Sequence, residues 1–421
     1  MLIRNFLKPK RIILGFGCIA LLTCCKNNSK MSDYNPLLED FNTPYQTVPF
    51  DKIKAEHYVP AFKVAMEHGR EDIKAIISNT EEPSFANTIE ALENSGKLLT
   101  RISSVFFNLN EAETSEDIQK VAREVSPLLS EYSNDIWLNE ELFARVKAVY
   151  DKKDELNLNT EENMLLNQVY KTFVRGGALL GEAEKQRYRE ITAELSQLSL
   201  QFAENLLAET NSFKLLITDT ADLAGLPEAE IENAKHLAES EGQEGWMFTL
   251  HAPSMGPFLK YADNRDLREK LQRASLSRAN NNNEYDNKAI MVKIANLRLE
   301  KANLLGYASH ADYALEERMA QNAANVYDLL NQLYEKSYPH AKNDVIEVSN
   351  FAKKAGLNDE LQRWDFSYYS EKLRRSLFDL DDEMIRPYFQ LDNVKQGVFG
   401  LANKLYGLTF KENKEIPVYH P

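Results

Sequence analysis

Cysteine is nearly missing from this chain. Of 421 residues only Cys18, Cys24 and Cys25 are cysteines, all within the first 25. The body of the chain therefore holds no disulfide and no thiolate metal ligand. Glycine is scarce too, at 16 residues, which argues against a turn-rich β architecture and for helix. Histidine occurs at His57, His68, His236, His251, His310, His340 and His420. No two of these stand in the His-Glu-x-x-His spacing that puts two imidazoles and a general base on one helical face. His57 and His68 are eleven apart and would share a face, but Pro60 between them is expected to break it. The Gly-x-Ser-x-Gly elbow and the phosphate-cradling P-loop are also absent. The glycines between Arg175 and Gly181 lack the Lys-Ser/Thr ending and read as a turn.

What is present describes a large folded protein. Apolar residues make up 43% and charged residues 27%, enough for a substantial core without the signature of disorder or of a membrane bundle. The length suggests two or three units, or one large helical body. The net charge is −14, and it becomes −20 once the six basic residues of the acid-free segment 1–30 are set aside. So acidic a surface repels phosphate backbones, which excludes nucleic acid as the expected partner.

The first residues read as an address. Four basic side chains lie in residues 1–11, an apolar run follows from Ile12 to Thr23, and Cys24-Cys25 precedes polar Lys26-Asn27-Asn28-Ser29. A basic head, a short apolar stretch and small residues match an export signal, and the run is too short to span a bilayer. A cysteine directly after the run resembles the acylation site of a bacterial lipoprotein. Cys25, with Leu22 at the usual apolar position, is the favoured lipidation site and Cys24 the alternative. The expected location is the cell envelope or periplasm, lipid-anchored, or the cytoplasm if translation starts at Met31.

Helical periodicity dominates the rest. Prolines at 36, 44, 49 and 60 predict irregular structure over 33–60. One stripe runs from Phe85 through Ile89, Leu92, Leu99, Ile102 and Phe106 to Leu109, with Ser84 as its N-cap. A second spans Ile118 to Ile136. Residues 183–210 contain neither glycine nor proline and predict one long helix. Between 211 and 257 the pattern shifts to two short β-like runs, starting at Phe213 and Trp246. Helices resume after 265, with stripes at Leu267–Ala274, Ile290–Leu304, Val326–Val348 and Val394–Leu405. Residues 408–411 read as a strand. Acidic groups such as Glu81-Glu82 and Asp381-Asp382-Glu383 suit helix starts. No catalytic constellation emerges from residue types and spacing alone.

Separate segments, in order, carry a resemblance. Tyr34 to Phe62, Pro257 to Arg278, Leu299 to Tyr313, Arg363 to Leu373 and Ile385 to Phe389 resemble the thimet oligopeptidase and oligopeptidase A family of zinc metallopeptidases, the bacterial peptidyl-dipeptidases above all. The resemblance covers nearly all of 33–421. It implies a mainly α fold, a multi-helix two-lobed shell around a substrate channel with a few short strands. After the export segment read over 1–30, it implies an N-terminal helical domain over 31–250 and the beginning of a catalytic domain over 251–421. One zinc ion would serve the full-length protein, held by two histidines and a glutamate with a second glutamate activating water. Those residues are expected downstream of residue 421, so no catalytic or metal residue is assigned here and the catalytic lobe is incomplete. The implied partners are short peptide substrates, with release of C-terminal dipeptides. An internally cleaving oligopeptidase and a non-catalytic helical peptide-binding lipoprotein are the alternatives.

Overall fold

Several helix starts among the described residues follow Ser or Asn side chains that satisfy otherwise unpaired first-turn amides. The computed structural model describes residues 34–380 and 382–420. The first helix, α1 (Ala55–Ser78), contains both Pro60 and His68, so residues 55–60 are helical rather than irregular. Losing one amide hydrogen bond at Pro60 is outweighed by burial of Tyr58, Ala61, Phe62, Ala65 and Met66 along the same face. Each large apolar side chain so buried contributes roughly 1.5–3 kcal/mol.

A π-helical turn at Phe85–Glu90 follows, capped as expected by Ser84, whose Oγ accepts from the Asn87 amide at 3.2 Å. The stripe from Phe85 to Leu109 is not one helix. It breaks at Gly96, which takes φ 63° while its N–H donates to Asp72 Oδ2 at 3.1 Å. A residue without Cβ makes that left-handed step at little cost. Helix α2 (Lys97–Ala112) starts beyond it. Next come α3 (Glu116–Trp137), α4 (Glu140–Asp151), α5 (Thr160–Arg175) and the single long α6 (Glu182–Ser212). Ser115, Asn139 and Asn159 cap the first three of these through side-chain oxygens. The Arg175–Gly181 segment is the turn between α5 and α6, with Gly177 at φ 95°.

Strand β1 (Leu215–Ile217), helix α7 (Glu228–Ser240) and strand β2 (Trp246–Phe248) come next. The strands pair antiparallel with Leu216 opposite Met247. Then follow α8 (Ala252–Tyr261), α9 (Arg265–Leu276), α10 (Lys288–Leu304), α11 (His310–Leu315), α12 (Ala323–Lys354), α13 (Arg363–Phe378) and α14 (Leu391–Tyr406). The expected strand at 408–411 is absent. There the Phe410 ring stacks on Phe399 of α14, with centroids 4.2 Å apart.

Three apolar cores form among residues 37–274. One lies among α1, α2 and α3 around Phe62, Ile102, Phe106 and Val125. A second joins the end of α1 to α4 and α5 around Ile89, Leu142, Leu166 and Phe173. The third packs both strands on α7, α8 and α9 around Leu215, Phe248, Phe258 and Leu271. Helix α6 connects the first core to α10, where the Arg187 guanidinium makes a two-pronged bond to Glu300 at 2.6 and 2.9 Å. Among the described residues beyond Ala302, the buried apolar side chains are Val348, Ala352, Leu357 and Tyr368.

Candidate functional site

Polar organisation is densest where α13 lies on α8 and α9. Asp365 and Arg268 are both buried, at 0% and 1% exposure. Arg268 Nη2 donates to Asp365 Oδ1 at 3.0 Å, and Arg265 reaches the same carboxylate through Nε at 3.0 Å and Nη2 at 2.9 Å. The Gln362 amide adds a donor at 3.1 Å, because Asp365 is the third residue of α13 and closes its capping box. The remaining Arg268 donors go to the carbonyls of Ala262, Asp263 and Trp364, and its guanidinium lies 4.0 Å over the Tyr368 ring. Burial pushes the Asp365 carboxyl upward, but the hydrogen bonds from Arg265, the Gln362 amide and Arg268 outweigh it and hold it below the usual carboxylate range.

A second ionic group anchors the far end of α13. Glu371, 5% exposed, accepts from Arg374 at 2.9 and 3.0 Å and lies 3.3 Å from Lys260 of α8. Asp382 joins it, bonded to Lys260 and to Arg374 Nη2 at 2.7 Å. Hydrogen bonds from Lys260 and Arg374 draw the Asp382 carboxyl down to about 2. Asp382 opens a short helical turn, as the acidic run suggests, and Asp381 lies outside the described residues. These carboxylates stay ionised at neutral pH. Their chemistry is that of a clamp, and none of them is tuned to pass a proton.

A third group sits where α5 and α6 meet α10 and α11. Arg175 packs over Tyr313 and Tyr307 at 4.1 and 5.7 Å and bonds to Glu316 and the Tyr313 carbonyl. Lys301 lies 4.9 Å over the Tyr188 ring, and burial together with the neighbouring Arg175 lowers its pKa. A groove of about 370 Å³ runs between α3 and α6, where the Arg123–Glu204 pair, 2.8 Å apart, balances its charge.

The histidines do not converge. His57 and His68 do share α1, contrary to the expected break, yet His57 Nδ1 is occupied by the Lys54 amide at 3.1 Å and His68 is exposed. Among the described residues no group of three or more His, Cys, Asp or Glu is arranged to hold a metal ion. These residues therefore do not fit a zinc ion. Cys24 and Cys25 lie outside the described residues. Sequence reasoning missed Arg268 and Asp365. The available signal was Arg265 and Arg268 one turn apart beside the stripe of Leu267 and Leu271.

Two helices end this part of the chain with apolar faces open to water. Leu330, Leu333 and Tyr334 of α12 are 52–59% exposed, as are Val398 and Leu401 of α14 at 58%. Tyr334 and Tyr338 stack at 4.9 Å. The last described residues return to the first core: Tyr419 meets Phe50 edge-on at 5.9 Å, and His420 Nδ1 lies 3.0 Å from Glu113 at the end of α2.

Residues 258–421 match the family model for Peptidase family M3. The chain is 37% identical over 393 residues to a protein named dipeptidyl carboxypeptidase from Escherichia coli (strain K12), covering 93% of this chain and 58% of that relative. It is 36% identical over 391 residues to oligopeptidase A of the same strain, with 92% and 57% covered. It is 32% identical over 383 residues to an organellar oligopeptidase A of Arabidopsis thaliana, with 89% and 48% covered. The chain thus spans a little under three fifths of the two bacterial relatives.

Proposed function

We propose, because residues 258–421 match the family model for Peptidase family M3, that the full-length protein is a zinc metallopeptidase that removes C-terminal dipeptides from short unfolded peptides. The observation that carries this reading is the 37% identity across 93% of the chain to a dipeptidyl carboxypeptidase. Among the described residues no group of three or more His, Cys, Asp or Glu is arranged to hold a metal ion. The ionic clamp on α13 fixes a helix within the region that the family match covers. The channel wall and its access belong to the whole protein.

A second reading, internal cleavage by an oligopeptidase, draws on the 36% identity to oligopeptidase A. One experiment separates them. The full-length protein is loaded with zinc and given a blocked hexapeptide, and products are identified by mass spectrometry. Stepwise loss of dipeptides from the C-terminus, ended by a chelator, supports the first reading. Internal fragments support the second. A zinc-loaded protein that cuts neither this peptide nor a panel of others rejects both and favours a peptide-binding lipoprotein.

We propose further that the protein is exported and held at the membrane by a lipid on Cys25, with Cys24 as the alternative. The motive is the basic head, the apolar run and the cysteine pair. A palmitate analogue should label the protein, and changing both cysteines to serine should abolish the label. Unchanged labelling of that double variant rejects the anchor.

A further inference from the structure

Lysine side chains are seldom withdrawn from water without a partner of opposite charge. Lys301 of α10 is partly buried, yet among the described residues no carboxylate stands within ion-pairing distance of it. Its Nζ lies 4.9 Å from the Tyr188 ring and 5.8 Å from the Tyr313 ring. The charge acting on it is Arg175, which repels it. Arg298 lies one turn earlier on the same side of α10 and also has no ion pair. His310 opens α11, its ring 6.2 Å from that of Tyr313, and its pKa is lowered by burial, by Arg298 and by Lys301. The carboxylates of this region are committed elsewhere. Glu300, next to Lys301 in the chain, is bonded to Arg187, and Glu316 to Arg175, Tyr307 and Lys171. Against the ring contacts, burial and Arg175 disfavour the ammonium and lower the Lys301 pKa. A larger share of free amine, the nucleophilic form, follows at neutral pH.

We propose that the Lys301 amine takes up carbon dioxide and is held as a carbamate by the cations around it, Arg298 and Arg175. The amine lone pair attacks the carbon of carbon dioxide. A carbon–nitrogen bond forms as one carbon–oxygen π pair moves onto oxygen, and the nitrogen releases its proton to water. One amine and one carbon dioxide give one carbamate anion and one proton, with no oxidant, reductant or other co-reactant. The charge of the product selects this electrophile. Acylation by a larger donor would leave a neutral amide, which gains nothing from neighbouring cations. A carbamate places an anion among them and supplies the ion pair that the cluster lacks. The rings of Tyr188 and Tyr313 on either contact of Nζ also favour a small linear molecule over a bulky donor. The site stands apart from the peptidase reading, because Lys301 is assigned no part in peptide cleavage.

Chemical trapping tests this. The full-length protein is equilibrated at neutral pH with isotope-labelled bicarbonate and carbon dioxide, treated with a trialkyloxonium salt that esterifies carbamates, and mapped by mass spectrometry. Lys54, whose side chain is 72% exposed, is the internal reference. The expected result is a labelled carbamate ester at Lys301, several-fold more abundant than at Lys54. Lys301→Arg should abolish that ester and remove the matching carbamate signal from the carbon NMR spectrum. Trace acetylation by acetic anhydride reads the free amine separately. Arg298→Gln should lower the trapped carbamate several-fold more than it lowers acetylation of the same amine. Trapping at Lys301 no greater than at Lys54 overturns the proposal. So does a carbamate signal that survives in Lys301→Arg, or a bound labelled anion that yields no ester, which would make the ligand non-covalent bicarbonate. Equal falls in trapping and acetylation in Arg298→Gln overturn it too, since the cation would then act on the amine and not on the adduct. Should either variant fail to fold, the comparison of Lys301 with Lys54 in the unsubstituted protein decides.

Discussion

The Arg268 guanidinium and the Asp365 carboxylate meet at 3.0 Å with both side chains almost fully buried. Each has its remaining hydrogen-bonding capacity taken up, Asp365 by Arg265 and the Gln362 amide, Arg268 by three backbone carbonyls. A buried pair of this kind is worth little against an apolar replacement, yet losing one partner leaves an uncompensated charge and costs about 3–5 kcal/mol. Asp365→Ala should therefore destabilise strongly, and Arg268→Met less than Arg268→Ala, because methionine keeps much of the packing against Tyr368. Chemical denaturation of the three variants checks the order. An Asp365→Ala protein as stable as the parent would mean that the clamp does not hold α13.

Gly69 of α1 is the contact point for Tyr132 of α3. A Cβ added at Gly69 would stand 2.0 Å from the tyrosine Oη and 2.9 Å from its Cζ. Gly69→Ala ordinarily stabilises a helix interior by up to about 1 kcal/mol. Here overpacking, typically about 1–3 kcal/mol, should win and lower the melting temperature. Adding Tyr132→Phe removes the nearest atom and should recover part of the loss. If the single variant melts higher than the parent, the close approach of the two helices is wrong.

Much of this architecture is legible in the residues because local signals and packing agree. The long helix over 183–210, the Ser84 cap and the two short β runs around Leu215 and Trp246 are all where periodicity and capping chemistry put them. The misses have physical causes. Pro60 reads as a breaker, but the buried stripe around it holds the helix. Gly96 reads as part of a stripe, but its positive φ and its bond to Asp72 end one helix and start another. The clamp was invisible because Arg268 and Asp365 are 97 residues apart in sequence and no spacing rule links them. Cys24 and Cys25, the cysteines proposed for lipidation, fall outside the described residues.

Acid should loosen the far end of α13. The Asp382 carboxyl is drawn down to about 2 by Lys260 and Arg374, below the ordinary value of about 3.9. A depressed folded-state value contributes stability that is present above the ordinary carboxylate range and lost as pH falls through the folded value. The side chain is 45% exposed, so solvent screening keeps the effect modest. Melting temperatures of the parent and of Asp382→Asn, taken from pH 6 to pH 2, should differ at the top of that range and converge at the bottom. Curves that stay parallel throughout would remove Asp382 from the acid response.

The open faces of α12 and α14 predict how residues 31–421 behave when made alone. Soluble monomers seldom expose contiguous apolar patches beyond a few hundred Å². Leu329, Leu330, Leu333 and Tyr334 lie within six residues of one helix, each more than half exposed. This chain should bind a hydrophobic dye or self-associate at micromolar concentration. Replacing Leu330 and Leu333 with glutamate should reduce both, because the new charges interrupt the face without touching the buried Val348 and Ala352. The same chain should retain no stoichiometric zinc after dialysis against a mild chelator, since among its described residues no group fits the ion. It should also leave a blocked hexapeptide intact in a buffer containing zinc. A version extended through the zinc motif expected beyond residue 421 should lose the dye signal and gain chelator-sensitive cleavage together. Both are assayed in one zinc-containing buffer, so that missing metal does not account for a silent short chain. Dye silence in a monomeric short chain would show that the faces are closed in solution. Peptide cleavage by it would place the chemistry within residues 31–421.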